Sequence, residues 1–340
     1  MAPAAPQAPP TAVGDWQTTV HADHPLVGRI WSRADAGFIT PEALRDRLAA
    51  ALFVLIGEKH DNPDHHRLQA WLLDAVAHAD RAVYFEMLDL GEQPAVSGAA
   101  DPETLAAAVA WDASGWPPFA LYRPVFAALY AAGAPIRAAH PDRAAVRASM
   151  HARPADHPPA LLLDRPIDPA DDAALRREIE RSHCGHAPPI MVEGMVRAQR
   201  YKDAVMAAAL RGEAAALDAP AAVAPAVRAA LIAGNGHVRA SGVPRYLDRP
   251  ALTVGLIEVS AALPRDPAAL TVAAVDAAVG GRFDHVWFTP RVDDRDPCER
   301  FREQLERMRH PAGAPPPAAN PSPNGDSASK SAEPAQPDSE

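Results

Sequence analysis

The sequence predicts an α/β fold in which helices flank a central, mostly parallel β-sheet. Short apolar runs of strand length alternate along the chain with longer segments of helical periodicity. Hydrophobic residues make up 48% of the chain and charged residues 22%, a balance typical of a globular protein. Strands separated by helices indicate βαβ units, whose strands run parallel. Six runs are predicted strands: 52–56, 82–85, 134–139, 229–233, 252–259 and 283–288.

Helical patterns begin at five points between these strands, namely Pro41, Pro63, Asp101, Phe119 and Met191. Asn62 before Pro63 is typical of a helix start, because asparagine caps a helix and proline suits its first position. The first strand, a loop and this helix start therefore follow one another directly. In a parallel sheet, ligands bind beyond the carboxyl ends of the strands.

The chain is expected to hold one folded domain, residues 16–309, between two tails. Residues 1–15 are rich in alanine and proline and predict a flexible tail. Residues 310–340 contain proline, alanine and serine but no aromatic residue. Such a segment buries too little apolar surface to offset the entropy of ordering it, which predicts disorder.

Composition excludes several classes of protein. The chain has 33 Lys+Arg against 43 Asp+Glu, a formal net charge of -10, which argues against a nucleic-acid partner. No apolar run is long enough to predict a transmembrane segment. Two cysteines are too few for a disulfide framework.

The beginning of the chain has no secretory signal, so a soluble cytoplasmic protein is expected as written. A start further upstream would instead allow a periplasmic or membrane-anchored protein.

Two glutamates and two histidines follow the predicted strands. Glu58 and His60 come after the first strand, Glu86 after the second, and His237 after the fourth. Both histidines stand in a G-x-x-H pattern. Such a set suits a divalent metal or acid–base chemistry, although each residue alone is equally typical of a cap or a solvated loop. Glu258, inside a strand, is expected to face solvent and to be structural.

The helix that begins near Met191 carries an apolar face with Tyr201 at its edge, beside Arg200. Tyrosine oxygen is one of the ligands that proteins offer to haem iron. The alternative is that Tyr201 only packs in the core. His66 lies off the apolar face of its helix, where it can point toward the Glu58 loop. In the segment around His183, a loop is favoured over a nucleophile–base pair.

Taken in order, these segments resemble the ChaN family of haem-binding proteins, within the Tiki/TraB/erythromycin-esterase-like superfamily. The matching pieces are 55–66 with Gln69, 85–88, Trp111-Asp112, Gly115-Trp116, 121–124, 182–185, 195–199 with Asp203, 234–239 and 242–245.

The resemblance implies a haem-binding protein that takes part in haem or iron uptake or handling. Family members are bacterial and include lipoproteins, and the resemblance implies a homodimer around stacked haems with tyrosine on the iron. Here Tyr201 would be the iron ligand, and Arg200, Arg239, His66 and His183 would contact the haem. The lipoprotein signal is missing from the beginning of this chain.

The wider superfamily implies an alternative, a metal-dependent hydrolase of an ester or amide. Glu58, His60, Glu86 and His237 would then hold a divalent metal or act directly on a water molecule. From the sequence, enzymatic activity stays open.

Overall fold

A computed structural model of the chain describes residues 15–213 and 228–296, together with 298, 299 and 302. The predicted tails lie outside the described residues, apart from Asp15. Contacts divide the chain into two units, Met1–Arg295 and Asp296–Glu340, and every element named below belongs to the first. A single domain over 16–309 stays a prediction.

Within the described residues, eight strands form one sheet. They are β1 (Ile30–Ser32), β2 (Gly37–Ile39), β3 (Phe53–Glu58), β4 (Arg81–Asp89), β5 (Ile136–His140), β6 (Arg228–Gly234), β7 (Ala251–Glu258) and β8 (His285–Thr289). Their order is β2-β1-β8-β7-β3-β6-β4-β5. From β8 to β5 all neighbours pair in parallel, whereas β1 is antiparallel to both β2 and β8. The predicted α/β class is confirmed.

The α-helices of the described residues cover both faces of this sheet. They are α1 (Pro41–Ala50), α2 (Pro63–Val76), α3 (Gln93–Gly98), α4 (Pro102–Ala108), α5 (Trp111–Ser114), α6 (Phe119–Ala132), α7 (Arg143–Ser149), α8 (Pro169–Ser182), α9 (Pro189–Leu210), α10 (Asn235–Val238) and α11 (Val272–Val279). The predicted helical patterns correspond to α1, α2, α4, α6 and α9. Strands β1 and β2 and helices α3, α5, α7, α8, α10 and α11 are not predicted from the sequence. The two strands are three residues long, and the missed helices are four to eight residues long or, in the case of α8, bury no residue fully.

Two apolar cores lie on the two faces of the sheet, as expected when helices cover both sides of parallel strands. Val54 and Ile56 of β3 belong to one core, which α2 and α6 complete. Phe53 and Leu55 belong to the other, against the buried face of α9. All six residues of β3 are therefore buried, and the strand reads as one continuous apolar run.

The carboxyl ends of β3, β4 and β6 meet at one edge of the sheet. In the register of β3 and β6, Glu58 stands opposite Gly234. Beyond it α2 starts at its predicted cap, where the Asn62 side chain accepts hydrogen bonds from the backbone N–H groups of Asp64 and His65. This edge brings Glu58, His60, Glu86 and the one-turn helix α10 together.

Candidate functional site

Glu58 is buried at the end of β3, where four side chains contact its two carboxylate oxygens. Its Oε1 atom accepts hydrogen bonds from His60 Nδ1 at 2.7 Å and from the Tyr122 hydroxyl at 2.6 Å. The Oε2 atom accepts one from Gln69 Nε2 at 2.7 Å and lies 3.3 Å from His66 Nδ1. Burial alone would raise the pKa of Glu58, but His66 and His60 outweigh it and hold that pKa well below its ordinary value.

His66 is a charged partner of this carboxylate. Its Nε2 atom lies 3.0 Å from the carbonyl oxygen of His60, and its Nδ1 atom faces Gln69 Oε1 as well as Glu58. Both ring nitrogens thus face acceptors, as an imidazolium requires. Burial lowers the pKa of His66, but Glu58 overcomes that effect and raises it.

His237 lies on α10 between two buried carboxylates. Its Nδ1 atom is 2.5 Å from Asp203 Oδ1, and its Nε2 atom is 3.1 Å from Glu86 Oε1. Burial opposes the charged ring, but Glu86 and then Asp203 raise the pKa of His237 to about 9. Glu86 also accepts a hydrogen bond from the backbone N–H of Gly234 at 2.7 Å. Although burial opposes ionisation, His237 holds the pKa of Glu86 below its ordinary value.

The two histidines of the G-x-x-H patterns have matching environments. Each directs Nδ1 to a buried carboxylate, Glu58 for His60 and Asp203 for His237. Each directs Nε2 toward Glu86, at 3.7 Å from His60 and 3.1 Å from His237. We refer to these five residues as the carboxylate–histidine cluster.

The cluster forms part of the wall of a cavity of about 770 Å³, the main cavity. The apolar part of its lining comes from α7, α8, α9 and β7, and Lys202 and Arg239 line it as well. The apolar lining residues are Val146, Leu175, Ile179, Met195, Ala198, Leu256 and Ile257. The main cavity therefore combines apolar surface with the charged side chains of the cluster.

A family profile described as "Haem-binding uptake, Tiki superfamily, ChaN" matches residues 44–247, which include every residue of this cluster. The chain belongs to the ChaN family. No curated protein sequence matches this ChaN-family chain.

Two solved structures are similar to this chain. One is described as "Cofacial heme binding to ChaN of Campylobacter jejuni", at 18% identity and a TM-score of 0.55, covering 76% of this chain and 95% of that one. This likeness shows the ChaN-like fold. The other is described as the type III effector HopBA1, at 15% identity and a TM-score of 0.36, covering 73% of this chain and 91% of that one.

The residues predicted to contact haem are separated in this ChaN-family structure. His183 and Arg239 line the main cavity, and His66 is buried behind Glu58. Arg200 donates to Asp172, and Tyr201 packs against His157 with ring centroids 4.9 Å apart. Neither Arg200 nor Tyr201 is among the described residues that line the main cavity.

Other residues correct or extend the sequence analysis. Glu258 does not face solvent: its side chain is 10% exposed and accepts hydrogen bonds from Asn62 and Lys59. Met191, placed on the apolar face of α9, is exposed. The analysis assigns Asp203 no role, although Gln199 and Asp203 stand four positions apart on one helix and both contact His237. That polar pair on a mostly apolar helix is the signal that could have found them.

In the part of the chain that the structure describes, no three histidine, cysteine or acidic side chains are placed to hold a metal ion. In the cluster each histidine nitrogen faces a carboxylate oxygen, and burial raises the pKa of Asp203 although His237 opposes that shift. Also within the described residues, no helix is both long and apolar enough to cross a membrane.

Replacing Gly57 by alanine should destabilise the protein by about 1–3 kcal/mol, because the new methyl group has no room beside Asn235. A Cβ atom there would overlap the side-chain oxygen of Asn235 and lie 3.3 Å from its Cα atom. Urea unfolding measures the change. Gly98→Ala is the matched control, since a Cβ atom at Gly98 meets nothing within 4 Å. Equal stability of the two variants would contradict the close approach.

Proposed function

We propose that this ChaN-family chain binds haem in the main cavity and serves in haem uptake or handling, with His183 as the iron ligand. The observation that carries the proposal is the orientation of His183. Its Nδ1 atom lies 2.8 Å from the carbonyl oxygen of Ile179, so Nδ1 donates and Nε2 keeps its lone pair. Histidines that ligate metals are commonly held in this way, with the second nitrogen donating to a backbone carbonyl.

The main cavity suits an iron porphyrin in size and lining. Its volume of about 770 Å³ lies in the range of cofactor sites. Leu175, Ile179 and Met195 offer apolar contact to the porphyrin faces. Lys202 on the same lining would pair with a propionate, whereas Arg239 donates to Glu178 of that lining and would have to exchange this partner for the second propionate. His66 would act indirectly, by holding Glu58 in place. Arg200 and Tyr201 face other partners, which favours His183 over Tyr201 as the ligand.

A homodimer is part of this proposal. Ile190 and Met191, at the beginning of α9, are 77% and 47% exposed, and Met195 of the same helix lines the main cavity. A second copy that covered these two side chains would also close the cavity. The relative from Campylobacter jejuni, described as binding haem cofacially, supports such pairing.

An absorption titration of the purified protein with hemin tests the proposal. We expect a saturable Soret shift at one haem per chain, together with a doubling of the mass measured by light scattering. The absence of saturable binding would contradict haem binding itself. Saturation without a change of mass would contradict only the homodimer.

The carboxylate–histidine cluster favours a second candidate function, metal-dependent hydrolysis of an ester or amide. His60 and His237 present Nε2 toward Glu86 while Glu58 and Asp203 hold their Nδ1 atoms, the arrangement that supports metal ligands. By type, the side chains therefore fit a divalent metal, held by His60, Glu86 and His237, although their present spacing is that of ion pairs. When bound, the metal would act as a Lewis acid and activate water.

Metal analysis tests this second candidate. After incubation with manganese or zinc and desalting, the wild-type protein should retain metal, and both His60→Ala and His237→Ala should lose it. His186→Ala is the control, since His186 is exposed and outside the cluster. Retention of metal by both cluster variants, or no retention by the wild type, would contradict the candidate.

A further inference from the structure

A second cavity, of about 450 Å³, lies beyond the carboxyl ends of β4 and β5. Trp116 stands between this second cavity and the carboxylate–histidine cluster. The Trp116 ring is edge-on to His60, with centroids 4.9 Å apart, and also approaches His140 at 6.5 Å. His140 lines the second cavity and His60 lines the main cavity. The two cavities are therefore neighbours with different linings.

A β-bulge sets the polar side of the second cavity. The register of β4 and β5 shifts between Phe85 and Asp89, so that Asp89 stands opposite His140. Bulges re-aim side chains at the ends of strands. His140 Nδ1 lies 3.1 Å from Asp89 Oδ1, which leaves Nε2 as an acceptor when the ring is neutral. Glu92 adds a second carboxylate and accepts a hydrogen bond from the backbone N–H of Asp89 at 2.8 Å.

The rest of the second cavity is aromatic and apolar. Trp111 and Trp116 contribute indole rings, and Met87 and Val109 contribute aliphatic surface. The Trp111 N–H donates to the carbonyl oxygen of Pro117 at 2.9 Å, which fixes that ring. Indole faces beside carboxylates attract organic cations by cation–π and ionic contacts together.

The charges on the lining favour a cation. Asp89 and Glu92 are two carboxylates, against one guanidinium from the exposed Arg143, which donates to the Ser114 carbonyl. Burial raises the pKa of Glu92, the hydrogen bond from the backbone N–H of Asp89 opposes that shift, and the charge of Asp89 adds to it. A bound ammonium group would relieve that repulsion.

We propose that the second cavity binds a small organic ammonium ion, with the cationic group on Asp89, Glu92 and the Trp116 ring and the apolar body against Met87 and Val109. This site is independent of haem binding and of the hydrolase candidate, because it uses none of their residues.

Calorimetric titration of the full chain with three probes of one skeleton tests the charge preference. The probes are phenethylamine as a cation, phenethyl alcohol as a neutral compound and phenylacetate as an anion. We expect saturable binding of phenethylamine, at least about tenfold tighter than the alcohol, and no binding of phenylacetate. Equal binding of amine and alcohol, preference for phenylacetate, or no binding of phenethylamine would overturn the proposal.

Methionine methyl NMR locates the bound amine. Met87 lines the second cavity and Met195 the main cavity, so phenethylamine should shift the Met87 methyl signal and leave that of Met195 in place. A shift at Met195 alone would place the amine in the main cavity and overturn the assignment.

Two variants that change the charge of the cavity lining in opposite directions complete the test. Asp89→Asn should weaken phenethylamine binding by about tenfold, whereas Arg143→Ala should tighten it severalfold because a like charge is removed. Glu92→Gln replaces Asp89→Asn if the latter does not fold. Weaker binding by Arg143→Ala, or unchanged binding by the carboxylate variant, would contradict the proposed ammonium site.

Discussion

Replacing His183 by alanine should weaken hemin binding by about 100-fold and remove the Soret feature of a histidine-bound iron. The reason is geometric. His183 lines the main cavity, and its Nδ1 atom is engaged by the Ile179 carbonyl, which leaves Nε2 for the iron. Tyr201→Phe should leave hemin affinity unchanged, because the Tyr201 ring packs against His157. Absorption titrations of the two variants with hemin give the comparison.

His186→Ala is the matched control for this experiment. His186 belongs to the same loop as His183, but it is exposed and is not among the described residues that line the main cavity. Loss of binding in Tyr201→Phe, with binding kept in His183→Ala, would reject His183 and restore tyrosine as the ligand. Haem binding as such would survive that outcome.

The free energy of unfolding of the ligand-free protein should fall by about 3 kcal/mol between pH 6.5 and pH 9. His237 is the main cause of the decline, because Glu86 and Asp203 raise its pKa from 6.5 to about 9 against the effect of burial. The raised pKa values of His60 and His66 add to the decline in the same direction. A group whose pKa is raised on folding stabilises the protein fully below its unfolded pKa. Its contribution is lost as the pH rises through the folded value. Urea unfolding at several pH values measures the slope.

Two variants separate His237 from other causes of this pH dependence. His237→Gln removes the main titrating ring and should make the profile shallower, leaving the part due to His60 and His66. It should also destabilise the protein, because Glu86 and Asp203 lose their partner. His78→Ala, at an exposed position, should keep the wild-type slope. A wild-type slope in His237→Gln would assign the decline to other groups.

Much of the fold could be predicted because central parallel strands are buried on both faces. Residues of β3 and β6 form uninterrupted apolar runs, which stand out from the helical segments around them. The short antiparallel β1 and β2 do not stand out, because three residues show no period. Helix α8 is predominantly polar and buries no residue fully, so its short apolar face, Leu175 and Ile179, stands out less than that of α2.

The site, like the fold, has a part that could be predicted from the sequence and a part that could not. Glu58, His60, Glu86 and His237 could be predicted to lie together, because each follows a strand and the ends of parallel strands share one edge. Tyr122 is buried on α6, and its hydroxyl donates to Glu58, a contact that no local sequence pattern indicates. Asp203 comes from a helix on the other face of the sheet, and no local spacing links it to His237.

The register of the central strands also governs how the protein acquires its site during folding. Gly234 donates to Glu86 across 148 positions of sequence, and Glu58 faces the same turn from a third strand. Contacts so distant in sequence form slowly, and no contiguous fragment shorter than the segment from Glu58 to His237 contains the complete cluster. A ligand of the cluster therefore recognises only chains in which β3, β4 and β6 are paired. By mass action it would stabilise the entire central sheet, and a pulse of ligand during refolding would report when those strands come together.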